Sequence, residues 1–174
     1  MKIVIINGEG RVGKDTFVHF CSQIDPYIVY GVSIIDEVKA GAVHFNWDRE
    51  DKSEKARKFL SDLKDAWEEF NDGPYETVKW RIGLIEQIHE FQKNLDKVIV
   101  FIHSREPDDI ERFVNDYKAI TLLIRRPEVE GQFHNHADSE VYEWGYDYII
   151  ENRDLTEFKE SAMTFINAIM EDKE

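Results

Sequence analysis

The chain has one cysteine in 174 residues, Cys21. That excludes an intrachain disulfide and a cluster of cysteine metal ligands, and it suits a reducing cytoplasm. Long apolar runs are missing too. None approaches the ~20 residues of a membrane span. The short apolar stretch at residues 1–6 is followed by no cleavage-type segment, so neither membrane insertion nor secretion is expected. Positive charge is scarce: 22 Lys and Arg stand against 36 Asp and Glu, a formal net charge of −14. Such a balance opposes non-specific binding to nucleic acid or to an anionic membrane. A phosphorylated ligand must then be met where a few cations are gathered, so their placement matters more than their number. Internal repeats, low-complexity linkers and any break that would mark a domain boundary are absent as well.

What is present reads as a single domain over 1–174, with enough apolar residues, 42%, to build a core. Residues 2–7, KIVIIN, are apolar without alternation, the pattern of a strand buried on both faces. Further strands are expected at 27–32, 98–102 (VIVFI), 119–125 and 146–150. Helices are expected between them. One covers 14–24. Another covers roughly 34–45, with Ser33 as a candidate cap. A third, 53–71, has Ser53 at its cap and is stopped by Asn71-Asp72-Gly73-Pro74. The helix at 75–93 has an apolar stripe of Val78, Ile82, Ile85 and Ile88, with His89 at its margin. Two more cover 107–117, opened by Pro107-Asp108-Asp109, and 154–171. Apolar strands alternating with helices predict an α/β fold with a mostly parallel five-stranded sheet.

The first strand runs into GEGRVGK, residues 8–14, which matches G-x-x-x-x-G-K and opens a helix. Each position has a physical reason. Gly8, Gly10 and Gly13 allow positive φ and let backbone N–H groups face phosphates. The backbone of Arg11 and Val12 shares in that loop. The helix that follows points its positive end at the same place. Lys14 carries a charge to the β- and γ-phosphates. Asp15 stands where a hydroxyl usually follows the lysine, and Thr16 is the hydroxyl available for phosphate or Mg²⁺. An incidental glycine turn is the plainer alternative, but the strand before and the helix after favour nucleotide binding.

The Lys14-Asp15-Thr16 form resembles the nucleoside monophosphate kinase branch of P-loop proteins. The stretch 98–113, VIVFIHSREPDDIERF, is similar to the segment of animal phosphomevalonate kinases and phage deoxynucleoside monophosphate kinases that passes from a central strand through an arginine into a helix. The stretch 138–152, DSEVYEWGYDYIIEN, resembles their D-S-E and D-[YW]-V-I-x-N ending. The resemblance implies a P-loop NTPase fold, a three-layer α/β/α domain with sheet order 2-3-1-4-5. It implies an acceptor-binding region at about 33–93 and a lid at about 125–140. It also implies transfer of the γ-phosphoryl group of ATP, with Mg²⁺, to a phosphorylated small molecule, most simply a (deoxy)nucleoside monophosphate. The chain departs from the pattern at His103, where an Asp is common, at Glu106, where a second Arg is common, and in 127–143, which holds no Lys or Arg.

The remaining candidates are cations at strand ends. Arg105 follows the expected central strand, where open α/β sheets place ligands, and suits an acceptor phosphate; a salt bridge to Glu106 or Asp109 is the alternative. Arg125 and Arg126 end the fourth strand and suit the transferred phosphoryl group, or else form a solvated pair. Asp15 and Asp36 are candidates near Mg²⁺ or an acceptor hydroxyl, with a first-turn helix acid the alternative for Asp15. Ser33, Asp36 and Lys39 follow the second strand and suit the acceptor, or else S-x-x-D only starts the helix. Arg57 suits it too, or belongs with Lys64 to the solvated side of its helix. His134, His136, Asp138 and Glu140 lack a zinc framework and read as lid. Trp47, Trp67 and Trp80 are core or the wall of an acceptor pocket. Two functions remain: a kinase acting on a phosphorylated small molecule, and an ATP-binding sensor or partner without transfer.

Overall fold

The computed structural model describes residues 1–129, 131 and 141–171. The element order is β1 (Lys2–Asn7), α1 (Lys14–Cys21), β2 (Ile28–Ser33), α2 (Asp36–Ala42), α3 (Glu54–Asn71), α4 (Gly73–Gln92), β3 (Val98–His103), α5 (Pro107–Tyr117), β4 (Ile120–Arg125), β5 (Tyr148–Glu151) and α6 (Leu155–Glu171). The five strands form one sheet in the order β2-β3-β1-β4-β5, as expected. β1 pairs in parallel with β3 and β4, and β4 with β5. No described helix is long and apolar enough to cross a membrane.

The apolar runs are strands because both of their faces are covered. On one face Val4, Ile6, Ile99, Phe101, Leu122 and Ile124 pack with Val12 and Phe17 and with Phe158, Phe165 and Ile169 of α6. Phe17 is the hub there, its ring meeting Phe101, Phe158 and Phe165 at 5.3–6.4 Å. On the other face Ile3, Ile5, Val100 and Ile102 are buried, as are Ile110 and Phe113 of α5. The sheet therefore lies between two helical layers. Phe17 follows Lys14 and Thr16 by one helical turn or less, so a fully buried residue of α1 fixes the helix whose first turn carries the candidate cation.

The chain packs as two compact units: Met1–Gly31 with His89–Glu174, and Val32–Ile88. In the second, α2 rests on α3. Val38, Ala42, Ala56, Tyr75, Val78 and Ile82 are buried. Ser53 caps α3, its hydroxyl accepting the Ala56 N–H at 3.2 Å. Ser33 does not cap α2. It ends β2, and its N–H donates to Asp36 Oδ2 at 3.1 Å, because the helix begins two residues later than the pattern suggested. The stop at Asn71–Pro74 shrinks to one left-handed residue, Asp72, before α4 begins at Gly73. Gly73 is packed so closely on the Trp67 indole that no Cβ fits there.

α4 is apolar on two faces. Val78, Ile82 and His89 are buried, whereas Trp80, Leu84, Ile88 and Phe91 are exposed. His89 thus belongs to the inner face and Ile88 to the outer one. At 100° per residue, 78, 82, 85 and 89 align, while 88 falls with 80, 84 and 91. His89 is buried with both nitrogens engaged: Nε2 lies 2.8 Å from the Tyr30 hydroxyl and Nδ1 2.8 Å from Asn94 Oδ1. Since Oδ1 only accepts, Nδ1 is the donor in that pair.

Candidate active site

In the loop after β1, two of the three glycines take positive φ, and Gly10 does not. Gly8 sits at φ 143° and Gly13 at φ 102°, and Arg11 between them is also left-handed at φ 66°. Positive φ at Gly8, Arg11 and Gly13 bends the backbone sharply, the kind of turn in which N–H groups form a concave site for an anion. Gly13 is the left-handed cap of α1, and Phe17 N–H returns to its carbonyl at 2.9 Å. A Cβ on Gly13 would stand 2.6 Å from Asn152 Nδ2, and one on Gly8 would collide with the Ile124 carbonyl. Lys14 folds over this loop, with Nζ donating to the carbonyls of Gly8 at 2.5 Å and Glu9 at 2.8 Å. Val12 is fully buried, Arg11 and Asp15 are exposed, and Gly10 and Thr16 are partly exposed. Donors on the backbone, glycines with no room for a side chain and one lysine amine make a set that fits a polyphosphate.

Asn7 joins this loop to the end of β3. Its side chain is fully buried. Oδ1 accepts the Gly8 N–H at 2.7 Å, while Nδ2 donates to the Tyr146 hydroxyl at 2.7 Å and to the Arg105 carbonyl at 3.3 Å. The Arg105 backbone is thereby held beside the mouth of the loop. Tyr146 in turn donates a hydrogen bond from its hydroxyl to the Val141 carbonyl at 2.6 Å. Burial pushes its pKa up to about 12, with the Asn7 bond opposing, so it remains a neutral hydroxyl. Asn152 closes the far side, Nδ2 donating to the Val12 carbonyl at 2.9 Å.

The strand-end cations differ in their surroundings. Arg125 is partly buried, its guanidinium carbon 5.7 Å from the centroid of the Tyr142 ring. Arg126 is 45% exposed and pairs with Glu128 at 3.5 Å. His103 Nδ1 lies 3.8 Å from the carboxylate of Asp15, which is otherwise in solvent.

In the second unit, Asp36 and Glu37 both meet Arg81, with Asp36 Oδ2 3.3 Å from the guanidinium. Lys39 is partly exposed on α2 and Arg57 exposed on α3. Lys64 differs from Arg57: it is buried and pairs with Glu68 at 2.8 Å. The Trp47 indole N–H is buried with no hydrogen-bond partner among the described residues. Most of the expected lid at 125–140, including His134, His136, Asp138 and Glu140, lies outside the described residues.

Asn7, Glu9, Tyr142, Tyr146 and Arg81 were not singled out by sequence reasoning. Asn152 was visible only as the last letter of the D-Y-I-I-x-N ending, and its contact with Val12 gives that letter a physical role.

No protein-family model matches the chain, and no curated protein matches its sequence. Among solved structures it is similar to one described as a "putative kinase" from Chloroflexus aurantiacus, with 10% identity, 96% of each chain covered and a TM-score of 0.48.

Proposed function

We propose that this protein is an ATP-dependent phosphotransferase that moves the γ-phosphoryl group to a phosphorylated small molecule, a (deoxy)nucleoside monophosphate being the simplest acceptor. The observation that carries the reading is the loop 8–14, left-handed at Gly8, Arg11 and Gly13 and covered by the Lys14 amine. In this reading Gly8, whose N–H is taken by Asn7, makes the first turn of the loop, the N–H groups of Gly10, Arg11, Val12, Gly13, Lys14, Asp15 and Thr16 hold the triphosphate, and the Thr16 hydroxyl holds Mg²⁺. ATP with Mg²⁺ supplies the transferable phosphoryl group and neutralises charge on it. Lys14 and Arg125 stabilise charge on that group, with Arg126 the more solvated helper. Arg105 holds the acceptor phosphate. Ser33, Asp36, Lys39 and Arg57 belong to an acceptor-binding region at 33–93, and 125–140 acts as a lid. The whole of 1–174 works as one kinase-like domain.

Transfer of this kind asks the protein for positioned cations more than for covalent chemistry. Arg105→Ala is therefore expected to raise the acceptor KM while ATP affinity stays within twofold. Arg125→Ala is expected to lower kcat by roughly 10²–10³, with smaller changes in either binding constant. Steady-state kinetics over a panel of nucleoside and deoxynucleoside monophosphates and other phosphorylated metabolites checks both. A second reading, nucleotide binding without transfer, draws on His103 and Glu106, where the kinases it resembles carry Asp and Arg. ATP binding with no turnover across that panel selects it.

A further inference from the structure

Glu9 is out of place on electrostatic grounds. It lies within the phosphate-binding loop, where a carboxylate opposes an anionic ligand, and yet it is only 5% exposed. Burying a carboxylate is costly unless its oxygens are bonded. Here both are. Oε2 accepts the Gly131 N–H at 2.9 Å, and Oε1 accepts the Tyr142 hydroxyl at 2.8 Å. The ring of that same tyrosine faces the guanidinium of Arg125. A chain of contacts thus runs from the loop that would hold the triphosphate to the arginine at the end of β4. Tyr142 itself is 44% exposed, and the Glu9 bond is a buried fixed point at the end of its side chain.

We propose that Glu9 is a positioning residue for phosphoryl transfer: its buried carboxylate fixes Tyr142, and the Tyr142 ring holds Arg125 at the angle it needs toward the transferred group. This rests on the reading of Arg125 as a contact to that group. A cation over an aromatic face keeps its charge while losing freedom of orientation. The sequence position follows as well. Residue 9 adjoins Gly8, whose place against β4 is fixed, so a side chain starting there is set at constant distance from the strand that carries Arg125.

Charge and positioning make opposite forecasts, which makes the idea testable. If Glu9 acted only as a misplaced charge, Glu9→Ala would tighten ATP binding and leave kcat unchanged or higher. Positioning requires that kcat fall. With Glu9→Ala, which removes both acceptor oxygens, and separately with Tyr142→Phe, kcat is expected to drop about tenfold, because small misplacement of a catalytic group is costly. The double variant should lose no more than the worse single one, since both break one link. Tyr142→Leu, which removes the ring, should approach Arg125→Ala. ATP affinity of the Tyr142 variants should stay within twofold.

A second measurement needs neither nucleotide nor acceptor. The Arg125 side-chain NMR signals of the full chain carry a ring-current shift from Tyr142. That shift should shrink in Glu9→Ala and Tyr142→Phe and vanish in Tyr142→Leu. Unchanged Arg125 signals in Glu9→Ala, or an unchanged or raised kcat, overturn the positioning role of Glu9 while leaving the kinase reading intact. A wild type that transfers to no acceptor overturns the kinase reading, and this proposal with it.

Discussion

ATP with Mg²⁺ is expected to raise the Tm of the wild-type protein by several degrees and to leave that of Lys14→Ala almost unchanged. A ligand at 100 times its Kd stabilises by about 2.7 kcal/mol. In a chain of this length each kcal/mol is worth roughly 2–4 °C. Hydrogen bonds to a charged group contribute about 1.5–3 kcal/mol each, so removing the amine weakens binding by roughly 10–100-fold and removes most of the shift. The variant has a second signature. Without ligand, Lys14 donates to the Gly8 and Glu9 carbonyls, and its loss should lower the unliganded Tm by a few degrees. Differential scanning calorimetry with and without ATP reads both effects. An ATP-dependent shift equal to that of the wild type would remove the phosphate-binding assignment of residues 8–16.

Gly8→Ala should have the largest effect on stability. The residue is left-handed, and an added Cβ would meet the Ile124 carbonyl in β4, a strand already paired on both sides. Backbone strain and overpacking against a strand that cannot yield add to about 4 kcal/mol, or roughly 10 °C in Tm. ATP binding should fall with it, since the first turn of the loop can no longer form. Gly83→Ala is the matched control. Gly83 lies inside α4 with nothing within 4 Å of an added Cβ, so alanine there should stabilise by about 0.5–1 kcal/mol. Denaturant unfolding of the two variants should move in opposite directions. A tolerated Gly8→Ala would contradict the close approach of the loop to β4.

The strands were legible because residues 2–7, 98–102 and 119–125 are apolar at every position or nearly so, a pattern only a doubly covered sheet satisfies. Their spatial order was not written in that pattern. It entered through the resemblance of the loop and of the stretches at 98–113 and 138–152. The loop itself was legible because its chemistry is local: glycines, lysine and threonine lie within nine residues. The side chains that brace it were not. Asn7 meets Arg105 across 98 positions and Tyr146 across 139, and Asn152 meets Val12 across 140. No local period encodes such pairs. The face of α4 was misjudged for another reason. A helix apolar on two sides has no single stripe, so Ile88 was read with the inner set and His89 left at its edge.

Cys21 lies on α1 beside Phe17, fully buried, and burial pushes its thiol up to about 12. Only the thiolate attacks an alkylating reagent, so in the folded chain this sulfur should be inert at neutral pH. Being the sole cysteine, it makes the protein its own clock for opening of the layer beneath the phosphate-binding loop. The rate at which iodoacetamide consumes it, followed by intact mass, counts the moments when α1 leaves the sheet. A ligand that grips the first turn of α1 should slow that clock, and one that binds elsewhere should leave it running.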